Sequence, residues 1–143
     1  MIEYITINQT PKNGVIQYNL SKNYGYIGLV QICLSGLNFI PSYYNVVKVV
    51  VEEIDKTADN PNRLIATCLF NHMKTYFNEK EYTNIQWQKF DSAGKQLNIR
   101  FYNEYGKPFV FTPRKISEER TTYDQIQITF ALLPKNTKWI EKL

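Results

Sequence analysis

Apolar and polar side chains alternate along most of this 143-residue chain. In the clearest stretch, Leu97, Ile99 and Phe101 interleave with Asn98, Arg100 and Tyr102, the period-two pattern of a strand with one buried face. The chain then turns through residues 103–106 and resumes at Pro108-Phe-Val-Phe111. Gly106 suits a tight reversal, and Pro108 suits an edge or the first residue of the next strand. The last third repeats the pattern: Ile126, Ile128, Phe130 and Leu132 share one phase, Gln125, Gln127, Thr129 and Ala131 the other.

The same reading predicts strands at residues 2–8, 15–20, 26–34, 43–54 and 63–70, and a weaker one at 85–90. Turn signals separate them, among them Thr10-Pro-Lys-Asn-Gly14 and Asp91-Ser-Ala-Gly94. The run Val46-Val-Lys-Val-Val-Val51 is β-branched and therefore stiff and strand-prone. Only residues 72–80 carry helical spacing, with Met73, Tyr76 and Phe77 at i, i+3 and i+4. Residues 112–122 read as a charged connection or flap. Eight or nine strands with almost no helix imply an all-β domain. The expected fold is a single jelly-roll β-sandwich of about eight antiparallel strands with at most one short helix, one domain over residues 1–143.

Composition agrees with this. Eleven Tyr and eight Phe pack well on pleated surfaces. A net charge of +4 invites a nucleic-acid reading, but the lysines and arginines are scattered, as on a solvated surface. Aromatic and basic residues do interleave at Trp87, Lys89 and Phe90, and at Arg100, Phe101 and Tyr102. This leaves a β-barrel or sandwich module for single-stranded nucleic acid or carbohydrate as the alternative function. Cys33 and Cys68 lie far apart in apolar runs and read as buried free thiols. Residues 1–4 lack the basic start and apolar core of a signal peptide, and no apolar run is long enough for a membrane span.

Candidate chemistry is sparse. His72 is the one histidine, so no pair of histidines can hold a metal, and nothing places a nucleophile beside it. Glu52, Glu53 and Asp55 would crowd the mouth of a strand, where solvated carboxylates are ordinary and a Ca²⁺ or Mg²⁺ site is the sharper alternative. No phosphate loop, nucleophile elbow or dinucleotide fingerprint occurs. Catalytic residues, metal ligands and cofactors are therefore not expected, and the chain reads as a non-enzyme.

Two segments resemble a known family. One runs from Tyr24-Gly-Tyr-Ile-Gly-Leu through Phe39-Ile-Pro-Ser42. The other runs from Tyr82 through the Leu97–Phe111 hairpin and closes with Gln125-Ile-Gln-Ile-Thr-Phe-Ala-Leu-Leu133. Together they resemble the single jelly-roll minor capsid (penton, or vertex) proteins of virophages and Polinton/Maverick-type viruses. The resemblance covers most of the chain, but its motifs are patterns of residue class. Residues 55–80 match nothing in it, and residues 112–122 are longer than its compact pattern. It implies a self-assembling capsid vertex or other minor capsid protein, made in the cytoplasm of the infected host cell and placed in the virion capsid. Implied partners are further copies of the chain (a homopentamer), the neighbouring major capsid protein, and weak contact with packaged nucleic acid. Tyr43, Tyr44, Arg100, Tyr102 and Trp139 are the expected subunit-interface residues, since Tyr and Trp combine apolar area with a polar tip.

Overall fold

The computed structural model describes residues 2–35, 46–69, 74–78, 85–109, 114–117, 120–122 and 125–138. Eleven strands are assigned among them and no helix. In chain order they are β1 (Glu3–Gln9), β2 (Val15–Asn19), β3 (Tyr26–Ser35), β4 (Val46–Val51), β5 (Leu64–Leu69) and β6 (Lys74–Asn78). β7 (Gln88–Lys89), β8 (Gln96–Tyr102), β9 (Arg114–Ser117), β10 (Arg120–Thr122) and β11 (Gln125–Leu133) follow.

Two sheets carry the fold. One has the order β1-β11-β3-β6, with β7 also on β3; the other has the order β2-β8-β4-β5. The pairs β1–β11, β2–β8, β3–β6 and β4–β5 are all antiparallel and nested in sequence, the outermost strand with the last and the innermost with each other. A long hairpin rolled over itself makes this pairing, and β11–β3 and β8–β4 zip the roll shut. That is jelly-roll topology.

Side-chain phase decides which faces meet. Ile7, Ile27, Ile32, Ile126, Ile128 and Phe130 from the first sheet join Ile16, Val47, Val49, Leu97, Ile99 and Phe101 from the second in one buried cluster. Along β8 the inward residues are Leu97, Ile99 and Phe101, as the alternation requires. The hairpin turn before β2 is a two-residue loop. Lys12 and Val15 exchange backbone hydrogen bonds of 3.0 and 3.1 Å, and Asn13 and Gly14 both take positive φ (55° and 78°). An Asn-Gly pair is the usual occupant of such a primed turn.

Three sequence expectations are corrected. The helical spacing at residues 72–80 does not produce a helix at its centre, because Lys74–Asn78 is strand β6 paired with Gln31–Ser35. Two turns of helix cannot outweigh a free edge that satisfies the backbone through a ladder. The strand expected at 85–90 shrinks to Gln88–Lys89. Residues 85–87 instead cross the outer face of β3, where an added Cβ at Gly28 would stand 2.1 Å from Ile85 Cγ2 and 3.6 Å from Trp87 Cε3. The connection at 112–122 contains an antiparallel hairpin, β9–β10, with a register shift at Arg120/Thr121.

Other expectations meet the structure in part. Cys68 is buried and free, but Cys33 is only half-buried on β3. Burial pushes the Cys68 thiol up to about 12, so it is an inert core residue. Of the second hairpin arm expected at Pro108–Phe111, Pro108 and Phe109 lie within the described residues and pair with β8: Pro108 bridges Tyr102, and Phe109 N–H donates to Phe101 O at 3.1 Å. His72 and the segment 139–143 lie outside the described residues, as do Tyr43, Tyr44 and Trp139.

One corner stitches the sheets together. Gln88 and Lys89 pair with β3, and the next residue, Phe90, bridges Ile54 beyond β4. Asp55 N–H reaches Lys89 O at 3.0 Å and Asp91 N–H reaches Glu53 O at 2.8 Å. Ser92, fully buried, accepts from Tyr24 N–H at 2.6 Å and donates to Tyr24 O at 2.7 Å, so its hydroxyl is satisfied in both senses.

Candidate assembly surface

Arg100 and Tyr102, two of the residues expected at a subunit interface, share the outer face of the β2-β8-β4-β5 sheet. Both are half-buried, because β8 puts its apolar residues inward and these outward. The face changes character along β8. At the Asn98 end it is a polar network: Gln17 Nε2 donates to Asn98 Oδ1 at 3.2 Å, and Asn98 Nδ2 donates to Glu53 Oε2 at 2.9 Å. Glu53 Oε1 also accepts the Asn98 backbone N–H at 2.6 Å. Arg100 Nε donates to Glu52 Oε1 in an ion pair, which holds the guanidinium above its ordinary range. Glu52 and Glu53 are thus committed to β8. Among the described residues no group of three or more His, Cys, Asp or Glu could hold a metal ion.

Beyond Arg100 the face becomes about half apolar. Lys48, Val50, Asn62, Leu64, Tyr102 and Gly106 line a shallow groove of about 330 Å³. Val50 and Leu64 are directly paired across β4 and β5, where a register shift brings them together. Two loops build the rims. Asn60 clamps the first, giving its Nδ2 to Leu64 O at 2.8 Å and accepting Leu64 N–H on Oδ1 at 2.9 Å. Asn103 clamps the second: its Oδ1 accepts Tyr105 N–H at 2.9 Å and Lys107 N–H at 3.0 Å, and Gly106 takes φ 80°. Tyr105, 81% exposed, stands at that tip.

In this groove Tyr102 is of a type enriched at protein contacts and Lys48 of a type depleted there. The alternating aromatic–basic segments do not make a stacking platform of all their rings, since Phe90 and Phe101 are core residues. Sequence reading placed Arg100 and Tyr102 on the outward phase of β8, where the structure has them. It missed Val50, Leu64, Asn62 and Lys48. The available signal was the three consecutive valines Val49–Val51, which leave Val50 apolar on the face opposite the core.

A second charged cluster fastens the first sheet. Tyr24 Oη donates to Glu3 Oε2, Lys22 Nζ stands 2.5 Å from Glu3 Oε1, and the Lys22 ammonium lies 5.7 Å from the Tyr24 ring centroid. Lys22, and secondarily Tyr24, hold the Glu3 carboxyl below its ordinary range, and Glu3 holds Lys22 above its own. A carboxyl lowered in the folded state contributes stability that is present above the ordinary carboxylate range and lost as pH falls through the lowered value. The lysine's share is present below the ordinary lysine range and lost as pH rises through the raised value. Urea midpoints of the wild type should therefore decline below the carboxylate range more steeply than those of Glu3→Gln. Parallel profiles for the two proteins would count against the link.

No helix among the described residues is long and apolar enough to cross a membrane. No protein-family model matches this sequence, and no curated protein matches it. Among solved structures the chain is similar to the infectious bursal disease virus VP2 subviral particle, at 8% identity and a TM-score of 0.30, over 96% of this chain and 34% of that one. The chain spans about a third of that protein's length, and a likeness this distant bears no weight in a functional argument.

Proposed function

We propose that this chain is a structural protein that assembles with copies of itself as a capsid component, a pentameric vertex protein or another minor capsid protein, and performs no catalysis. The observation that supports the reading is a jelly roll whose β2-β8-β4-β5 sheet carries a half-apolar groove on its outer face, lined by Tyr102 and next to Arg100. The step from jelly roll to capsid is an analogy at the level of fold. The groove makes the reading specific to this molecule. In a ring, each copy would offer the β2-β8-β4-β5 face to a different surface of its neighbour, the head-to-tail contact that closes around a rotation axis. The major capsid protein and packaged nucleic acid are further partners on this reading, and the virion its location.

Light scattering coupled to size-exclusion chromatography tests it. The purified chain should elute as a pentamer or larger ring, and Tyr102→Glu, which puts a charge into the groove, should release folded monomer. A wild-type monomer at high concentration that binds oligonucleotide with a steep salt dependence would sink the proposal in favour of a nucleic-acid module.

A further inference from the structure

Among the described residues, strand β1 is a sheet edge that carries none of the usual blunting features. Its partner among the described residues is β11, in a continuous seven-residue register from Glu3↔Leu132 to Gln9↔Ile126 without a bulge. Natural edges are blunted by lysine, proline, bulges or brevity. β1 has no lysine, proline or bulge, and its one charge, Glu3, is taken up by Lys22 and Tyr24. The other edge of the same sheet is broken into two short pieces, β6 and β7, and β5 in the second sheet carries a register shift. β2 is five residues long. β1 is thus the long flat edge, with Tyr4 52% exposed on it and Thr6 and Asn8 exposed beside it.

We infer that β1 pairs antiparallel with β1 of a second copy of this chain, about a two-fold axis through Thr6. Three features of the strand single out this partner and register. An axis perpendicular to the sheet keeps the core-facing residues of both copies on one side, so Ile5 and Ile7 must face residues of their own phase. This requires the axis to pass through a residue, and an axis at Thr6 gives the greatest overlap, seven pairs. Ile5 then lies opposite Ile7, Tyr4 opposite Asn8, Glu3 opposite Gln9 and Thr6 opposite its own copy, with no like charges facing. The contact is isologous, the same patch on both partners, and joins two four-stranded sheets into one. It deepens the self-assembly reading and rests on it, adding a two-fold contact between rings to the rotational contact within them.

The register can be checked by cross-linking in a Cys33→Ser background. Directly opposed strand residues have Cα atoms about 4.5–5.5 Å apart, within the roughly 4.4–6.8 Å a disulfide spans. Thr6→Cys should therefore link two chains nearly completely under mild oxidation. Asn8→Cys, whose copies stand apart across the axis, should link little. Thr6→Lys sets two ammonium groups face to face and should weaken the two-fold contact at least tenfold by sedimentation velocity, while ring mass stays unchanged. The inference is overturned if folded Thr6→Cys protein, verified by its thermal melt, stays unlinked, or if Asn8→Cys links equally well. A ring that persists with unlinked Thr6→Cys would leave the assembly reading standing and remove the β1 contact alone. Linked dimers without rings would do the reverse.

Discussion

Phe130→Ala should lower stability by about 3–5 kcal/mol, the usual loss when a buried phenylalanine is cut to alanine. Phe130 is fully buried on β11, opposite Ile5 of β1 on one side and Leu29 of β3 on the other. Its ring therefore fills the centre of a three-strand ladder. A register shift at Thr129/Phe130 sets it there, with Val30 as the extra residue of β3. The hole cannot collapse by moving one strand, because β11 is tied on both sides. Against a total stability of about 5–15 kcal/mol for a domain of this kind, such a loss takes a large share. The melting temperature should fall by roughly 10 °C or more. Ile128→Val, on the same strand and phase, removes one methyl group and should cost only about 0.5–1.5 kcal/mol. Equal melting temperatures for Phe130→Ala and wild type would show that β11 does not hold the core as described.

The second large effect is at Gly28. Replacing a strand glycine by alanine ordinarily helps by about 0.4–1 kcal/mol, through the entropy of the unfolded chain. Here the sign reverses. The new Cβ would stand 2.1 Å from the Ile85 Cγ2 methyl, which belongs to a short branched side chain with little freedom to swing away. Segment 85–87 must lift or β3 must bend, at a cost of about 1–3 kcal/mol. Ile85→Ala alone also destabilises, since Ile85 is buried against this face. The double variant Gly28→Ala/Ile85→Ala should be more stable than the sum of the two single losses predicts, by about 1 kcal/mol or more. Strict additivity in urea titrations would mean that residues 85–87 do not lie on Gly28.

Residues 85–90 also show why parts of the fold were illegible in sequence. Alternation predicted a strand through Ile85, Trp87 and Lys89, but periodicity reports only that side chains face two ways. It does not say what lies on either side. Ile85 is buried outside the sandwich and Phe90 inside it. The chain changes layers between them, and its hydrogen bonds shift from β3 to Ile54. The helical spacing at residues 72–80 failed similarly: Met73, Tyr76 and Phe77 fit a helix, but the free edge of β3 decided the conformation of Lys74–Asn78. Where one strand face meets the core and the other meets solvent, as in β8, the sequence reading and the structure agree residue by residue.

The candidate surface divides along the same line. Arg100 and Tyr102 were legible because they occupy the outward phase of an unambiguous strand. The groove beside them was not, since it needs Val50 and Leu64 from two further strands and rims held by Asn60 and Asn103. The lining residues are up to 58 positions apart, from Lys48 to Gly106, and nothing local marks them as neighbours.

By itself, then, the sequence determined that this is an all-β domain, where its main turns fall, and which phase of each regular strand is buried. Those features depend on side-chain alternation and on local backbone preference, such as the positive φ of Asn13 and Gly14. The tertiary structure alone decided the nested pairing β1–β11, β2–β8, β3–β6 and β4–β5, the crossing of residues 85–87 over Gly28, and the place of β1 at a sheet edge among the described strands. Strand partners are chosen by how two sheets bury their apolar faces against each other, a property of the assembled layers that no single strand carries.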